Sequence, residues 1–536
     1  MRPIVRGAAA VLAVPALTLS ALVATSAPAA AAVDPAPATA AAAWLAGQVP
    51  ESGLFAGDFG ADYGLSIDVA LALDTVEDDS AVVSRIRDAV AAEVNSYIAY
   101  SYEDGGVTHT GQTGGATAKA LVLDRSTGGT GADFGGVDLV ERLESLVDEN
   151  GRVISTFDGA PDASYDNTYI QTLAVAGLDG TGSDARGRAL GYLLDQQCAT
   201  GGYFRGDIPE AASDPCADEP DADATARAVL ALQDESTADE ASADAVEWLL
   251  AAQRKSGAFG GGVGTEAPNA NSTGLAAAAL VAAGEDAAAA KAAAWLRAHQ
   301  ATNVANCVYY DSADLGAVFY DDAARSSAQG GAMDAALTSQ TVRATSQVIT
   351  GLQAASAGPG QPNVLSAPDY VKAGGTTQVG VNDAAPGEAL CAMLGEQSVL
   401  GWANPQGDAG LELRLPKKAG TSTVEVANAG GTLDTVEVTS LGAAKLPVSV
   451  KSKRIAVGQK QVVTVKDLAP GESVHVEIEW PSNRRGGSVA ITAGQANRKG
   501  VFKVTAKVPN RPGTAQVSTQ GQFKNRKGAT SFTVIR

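Results

Sequence analysis

The sequence predicts an α/α toroid of six inner and six outer helices, followed by two all-β sandwiches. Three observations carry that expectation. Six alanine- and leucine-rich segments recur along the first two thirds of the chain, with register residues Ser66, Ala116, Thr168, Thr225, Thr273 and Thr341. Between them lie segments with apolar residues at every third and fourth position and a charged opposite face. After Ala355 both patterns stop, and short runs of alternating polar and apolar residues take over.

The 536 residues allow three or four domains, and 45% hydrophobic residues against 18% charged suffices for packed cores. Aromatics make up only 5%, so alanine and small aliphatics must fill those cores. At the N-terminus a short basic stretch with Arg2 and Arg6 precedes an apolar run from Ala8 to Ala24. Ala30-Ala31-Ala32 then fits a small-residue cleavage site, so residues 1–32 read as a secretory signal and the mature protein as exported. No other stretch stays apolar long enough to span a membrane.

Each recurring segment lacks proline and ends near Gly or Asp, as a helix of three turns would. A helix that is apolar nearly all round must be enclosed. The intervening segments, such as 83–94, 138–147 and 241–250, carry one buried stripe and one wet face. Alternating the two kinds six times closes most economically as a ring within a ring, over residues 33–357.

Four outer segments end in Gln, three of them followed by a tight turn, a Gly and an aromatic. They read Trp44-Leu45…Gln48…Gly53-Leu54-Phe55, Gln197…Gly201-Gly202-Tyr203-Phe204, Trp248-Leu249…Gln253…Gly257-Ala258-Phe259, and Trp295-Leu296…Gln300, the last with its Gly–aromatic pair lost. This pattern resembles the repeat of the prenyltransferase and squalene/terpene cyclase superfamily, over about residues 41–357. The resemblance implies the toroid and leaves activity open.

In the cyclases of that superfamily an aspartate within D-x-D-D-T-A protonates the polyene. The matching stretch here is Asp221-Ala222-Asp223-Ala224-Thr225-Ala226, with alanine at the fourth position, which leaves Asp223 as the one candidate acid. The register offers a plainer role. Asp223 shares a column with Asp166, Asn271 and Ser339, side chains suited to capping a helix N-terminus. A carbocation also wants aromatic faces, and the inner segments offer Ala, Thr and Val. No Cys–His set matches the zinc site of protein prenyltransferases; His109 falls in an expected loop and His299 at an outer-helix end. No G-C-G-E-Q run marks a thioester. Asp214, Asp218, Glu219 and Asp221 cluster in one loop, either as weak calcium candidates or as a solvated acidic stretch. No cofactor is expected.

Export permits disulfides. Cys198 and Cys216 bracket a Gly- and Pro-containing loop that one bridge would close, whereas Cys307 and Cys391 either pair or remain two thiols. Residues 358–364 read as a linker, and 365–440 and 445–536 as two strand-rich modules. The shared turns Ala385-Pro-Gly-Glu388 and Ala469-Pro-Gly-Glu472 mark the two as copies. They resemble bacterial immunoglobulin-like surface domains. The second is basic, with 17 Lys+Arg against 4 Asp+Glu from Leu441 to Arg536 in a chain of net charge −21. Its clusters are Lys451-Ser-Lys-Arg454, Arg484-Arg485, Arg498-Lys499 and Lys524-Asn-Arg-Lys527. An anionic cell-envelope polymer suits that module, while the acidic bulk argues against nucleic acid.

The expected function is an exported, non-catalytic binding or adhesion protein whose toroid mouth takes a small hydrophobic ligand, a glycan or a protein. The alternative is an exported toroid enzyme, either cyclase-like through Asp223 or a carbohydrate-active polysaccharide lyase. The incomplete catalytic sets favour binding.

Overall fold

The computed structural model describes residues 32–536 except 59, 77–79, 164–165, 212, 234, 366 and 482–488. All but the last residue of the expected signal segment, and Arg484-Arg485, lie outside the described residues. The described helices are numbered in chain order. Six form one set: α2 (Tyr63–Asp74), α5 (Gly114–Ser126), α7 (Thr168–Gly177), α9 (Ala222–Ala231), α11 (Ala270–Ala282) and α14 (Ala335–Leu352). Each packs on the next, and α14 packs back on α2, so their contacts make a closed circuit. Six more flank it: α1 (Ala36–Gln48), α3 (Ser80–Ala92), α6 (Leu139–Glu144), α8 (Asp184–Leu194), α10 (Asp239–Ala252) and α12 (Asp286–Ala298). Two short helices, α4 (Val94–Ile98) and α13 (Asp322–Ser327), fill gaps between them.

Small residues make the circuit close. In α11 the residues from Ser272 to Leu280 are all buried, whichever way they face. A Cβ on Gly274 would stand 2.3 Å from the Gln347 carbonyl oxygen of α14, so the two backbones meet where glycine lets them.

The Gln–Gly–aromatic turn proves to be a backbone clasp. Gln253, just past α10, donates its Nε2 to the Gly257 carbonyl at 3.2 Å and to Ala288 of α12 at 2.8 Å. Gln197 treats Gly202 and Ala241 of α10 the same way, at 2.8 Å each. The aromatic's backbone N–H goes to a circuit hydroxyl, Phe204 to Thr225 and Phe259 to Thr273, both at 3.0 Å. Phe55 uses Ser66, also at 3.0 Å. Each Gln therefore ties its own turn to the next flanking helix, and each Ser or Thr ties the turn to the circuit.

Several register expectations need correction. The last repeat keeps its Gly as Gly316, displaced by an insertion that carries Cys307, while Val318 stands at the aromatic's position. The Val318 N–H reaches Thr345 Oγ1 at 3.0 Å, so the register residue is Thr345, one helical turn beyond Thr341. In the second repeat the hydroxyl is that of Thr117, which donates to the Thr113 carbonyl at 2.8 Å. In the third, Gln171 of α7 replaces both partners: it accepts the Val153 N–H and donates to the carbonyls of Gly151 and Ala189.

Beyond residue 362 the described chain is all strand and loop. The first β-unit has a five-stranded sheet, in the order Gln397–Trp402, Ala389–Leu394, Gly420–Asn428, Gly431–Leu441 and Tyr370–Lys372. It faces a three-stranded one across a core that includes Val379, Leu390, Leu411, Val424 and Val438. The second β-unit repeats the plan with its own core, including Val463, Val476, Trp480 and Phe532. The shared turn is copied atom for atom. Glu388 accepts the Ala385 N–H at 2.9 Å and Glu472 the Ala469 N–H at 2.7 Å, and the preceding Asp383 and Asp467 sit at φ +61° and +60°.

Cys307 is bonded to Cys391, which joins the helical unit to the first β-unit. The bridge lies in an apolar patch of Val304, Ala389, Met393 and Ala427, with Arg325 stacked 4.1 Å over the Trp402 ring beside it.

Candidate functional site

Side chains at the second and sixth positions of a helix stack on one face, one turn apart. In four circuit helices these positions carry charged or aromatic side chains. Asp68 of α2 and Lys119 of α5, each sixth in its helix, form an ion pair at 2.7 Å. Tyr169, second in α7, carries the Arg227 guanidinium of α9 at 4.7 Å over its ring. Asp223 precedes Arg227 by one turn, and Asn271 and Ser272 open α11. Arg343 of α14 pairs with Asp62, the residue that caps α2. Every circuit helix thus contributes to one polar cluster, with three carboxylates against three cations.

The electrostatics connect its parts. Burial alone would lower the Lys119 pKa, but Asp68 and Tyr169 outweigh it and hold the ammonium above its ordinary value. Burial pushes the Tyr97 phenol up, and Asp68, Tyr169 and Asp62 push in the same direction. Burial also raises Tyr320, with Asp321 and Asp223 adding to it. Aromatic faces, not expected from the inner segments, therefore enter from α4, from the first turn of α7 and from the loop before α13.

Asp223 is not a cap, which corrects the column reading. The caps are Asn167, Asp221, Asn269 and Asp334, which accept the N–H groups of Ile170, Ala224, Ser272 and Leu337. In α9 and α11 the column falls one residue inside the first turn, where a side chain no longer reaches the free N–H groups. Burial pushes the Asp223 carboxyl up to about 6, helped by Asp221 and opposed by the Ser272 hydroxyl and Arg227. Asp223 Oδ1 and Asn271 Oδ1 are buried without a hydrogen-bond partner among the described residues. Gly261 makes room beside them: a Cβ there would lie 2.7 Å from Asp223 Oδ2 and 3.0 Å from Ser272 Oγ. Such atoms are costly to bury unpaired.

Beside this cluster stands a four-stranded flap: Ala99–Asp104, Val107–Gln112, Ser155–Phe157 and Ala160–Asp162. Its first strand follows α4 directly, so the flap begins two residues after Tyr97. Alternation places Tyr100, Tyr102, His109 and Phe157 on one face. Tyr102 and His109 stack with centroids 5.2 Å apart, and His109 and Phe157 at 5.4 Å. The Tyr100 ring covers Gly111, where a Cβ would come within 2.1 Å of it. Tyr100 and Tyr102 are 39% and 49% exposed, an aromatic strip open to solvent. His109 is therefore a strand residue and not a loop one, and its Nδ1 is oriented by Asp158 Oδ2 at 2.7 Å. The Thr110 N–H and His109 together hold the Asp158 carboxyl below the usual range. A cleft of about 1050 Å³, lined by Pro161, Asp162, Asn167 and Ile170 among others, adjoins the flap's last strand.

The acidic loop is divided among separate tasks. Asp214 accepts the Cys216 N–H at 2.9 Å, Asp218 pairs with Arg205 at 3.0 Å, and Asp221 caps α9. Asp218, Glu219 and Asp221 also line a cleft of about 420 Å³. Among the described residues no group of three or more His, Cys, Asp or Glu is arranged to hold a metal ion. Cys198 is bonded to Cys216, and no described cysteine is free.

No protein-family profile matches the sequence, and no curated protein matches it. Among solved structures, a protein from Actinoplanes aligns over 60% of this chain and 99% of its own, at 18% identity and a TM-score of 0.43. The apo type II terpene cyclase MstE from Scytonema aligns over 59% and 97%, at 14% identity and 0.41. The Yersinia pseudotuberculosis adhesin InvE aligns over 33% of this chain, at 19% identity and 0.19, and the chain spans 59% of that adhesin. Similarity at these levels carries no functional inference, and the fold stands on the contacts above.

Proposed function

We propose that this chain is an exported, non-catalytic glycan-binding protein. In this reading the helical circuit is the inner barrel of an α/α toroid spanning residues 33–357, with the flanking helices as its outer ring. After the 358–364 linker, two immunoglobulin-like sandwiches at 365–440 and 445–536 carry the toroid at the cell surface. Two disulfides suit an oxidising compartment, and no described helix is long and apolar enough to cross a membrane.

The observation that carries the reading is the strip of Tyr100, Tyr102, His109 and Phe157, its two tyrosines exposed, beside a charge-balanced polar cluster. A sugar presents a flat C–H face, which an aromatic ring covers, and hydroxyls that both donate and accept. The cluster offers acceptors at Asp223, Asn271 and Ser272 and donors at Lys119 and Arg227. A small hydrophobic ligand would leave those groups unpaired. The test is a glycan array probed with the full-length protein. Binding to a defined set of oligosaccharides is the expected result; a blank array rejects the reading.

One observation favours the catalytic alternative: Asp223 has a raised pKa and an unpartnered oxygen, as a general acid would. The D-x-D-D-T-A pattern is, however, incomplete here, with Ala224 at its fourth position. Incubation with squalene or a shorter polyprenyl should give no cyclised product.

A further inference from the structure

The second β-unit exposes a face made of lysines. In its three-stranded sheet, Gln461, Val463 and Val465 are buried, so Lys460, Val462 and Thr464 point outward. On the neighbouring strand Lys503, Thr505 and Lys507 are the exposed set. Lys460 stands directly opposite Lys507, and Thr464 opposite Lys503. Lys451 joins the face beside Val462, whose carbonyl its N–H meets at 2.9 Å, and Lys466 continues the outward alternation. All five lysines are exposed, and none makes an ion pair among the described residues.

Like charges placed directly opposite on a sheet disfavour it. The Lys460–Lys507 pair is therefore unfavourable for the fold, and no carboxylate of the unit relieves it. Glu472 is buried against Arg526, Glu477 and Glu479 lie on a strand of the other sheet, and Asp467 sits in the turn after Lys466. The face is lysine and not arginine. Lysine meets a phosphate as a point charge, whereas planar bidentate pairing with carboxylates favours arginine.

We propose that this lysine face is a docking surface for a linear polyanion of phosphate groups outside the cell. The chain before Leu441 is strongly acidic and would repel such a polymer, so contact is directed to this β-unit, where the unpaired lysine face is the densest like-charge surface described. The proposal is independent of what the helical unit binds.

The experiment titrates full-length protein with linear polyphosphate at roughly 50 and 200 mM salt. Saturable binding is expected, weakening tens-fold or more between the two. Lys460→Glu should raise the melting temperature by relieving the like-charge pair, yet weaken binding about tenfold and lower the salt slope. Lys460→Gln should move both readouts the same way by less. Lys445→Glu with Lys527→Glu, on the other sheet, should leave affinity within about twofold. Absence of saturable binding at low salt overturns the proposal, as does equal weakening by the two sets of variants. Capture by phosphatidylglycerol vesicles without polyphosphate binding also overturns it, in favour of a membrane surface.

Discussion

Gln300, just past the end of α12, donates its side-chain amide to the Pro37 carbonyl of α1 at 2.8 Å, across 263 residues of sequence. The same amide holds the Gly316 carbonyl at 3.0 Å. Gly316 has φ +97°, and a Cβ there would lie 2.3 Å from the Ala40 carbonyl oxygen of α1. The last repeat thus grips the first with the clasp that Gln197 and Gln253 use between neighbours, and the flanking helices close as the circuit does.

Gln300 is 4% exposed, so Gln300→Leu removes the donor from two carbonyls in a buried site. Each unsatisfied carbonyl costs about 1–3 kcal/mol, and the variant should unfold at correspondingly lower denaturant. Unfolding at the wild-type midpoint would show that closure adds nothing to stability.

The two disulfides should contribute unequally. Cys307–Cys391 closes 84 residues and Cys198–Cys216 closes 18, so in the chain-entropy picture the long bridge stabilises by about 4–5 kcal/mol and the short one by about 3 kcal/mol. Replacing the Cys307 and Cys391 pair by alanine should also loosen the patch between the helical unit and the first β-unit. Limited proteolysis after each replacement separates the effects; faster cleavage near residues 358–364 is expected only for the 307/391 variant.

Asp221 and Asp223 should respond oppositely. Asp221→Ala removes a cap and should cost about 0.5–2 kcal/mol. Asp223→Asn should stabilise near neutral pH. Its folded carboxyl sits at about 6 against an unfolded value of 3.8, so the folded state holds the proton more tightly. Stability from this group is complete below about pH 4 and is lost as pH rises through 6, by an amount on the order of 2–3 kcal/mol. Melting curves of wild type and Asp223→Asn should therefore diverge between pH 4 and 7. Parallel curves would mean that the carboxyl titrates normally.

The repeat was legible because its Gln, Gly and Thr answer to backbone geometry, which forces the same residue types wherever the clasp recurs. It was misread where the chemistry changed hands, as at Gln171, or where an insertion intervened, as before Gly316. Of the site, only Asp223 was singled out. Asp68, Lys119 and Arg227 carried a signal that went unread: each is a charge amid apolar and small residues, two residues after Ser66, Thr117 and Thr225. Tyr97 and the flap come from connecting segments outside the repeat, and their convergence depends on packing that no local pattern encodes. The alternation of Tyr100 with Tyr102 and of His109 with Gly111 was visible, but only cross-strand pairing makes it a surface.

The most direct measurement is the dissociation constant of the best array oligosaccharide for wild-type protein and for Tyr102→Ala. Tyr102 is half exposed and stacks on Tyr100 and His109 of the flap, so its loss should leave the melting temperature nearly unchanged. A glycan-binding mouth with an aromatic strip predicts binding weakened about tenfold, equivalent to about 1.4 kcal/mol. Equal affinity in the two proteins, with the fold intact in both, would contradict it.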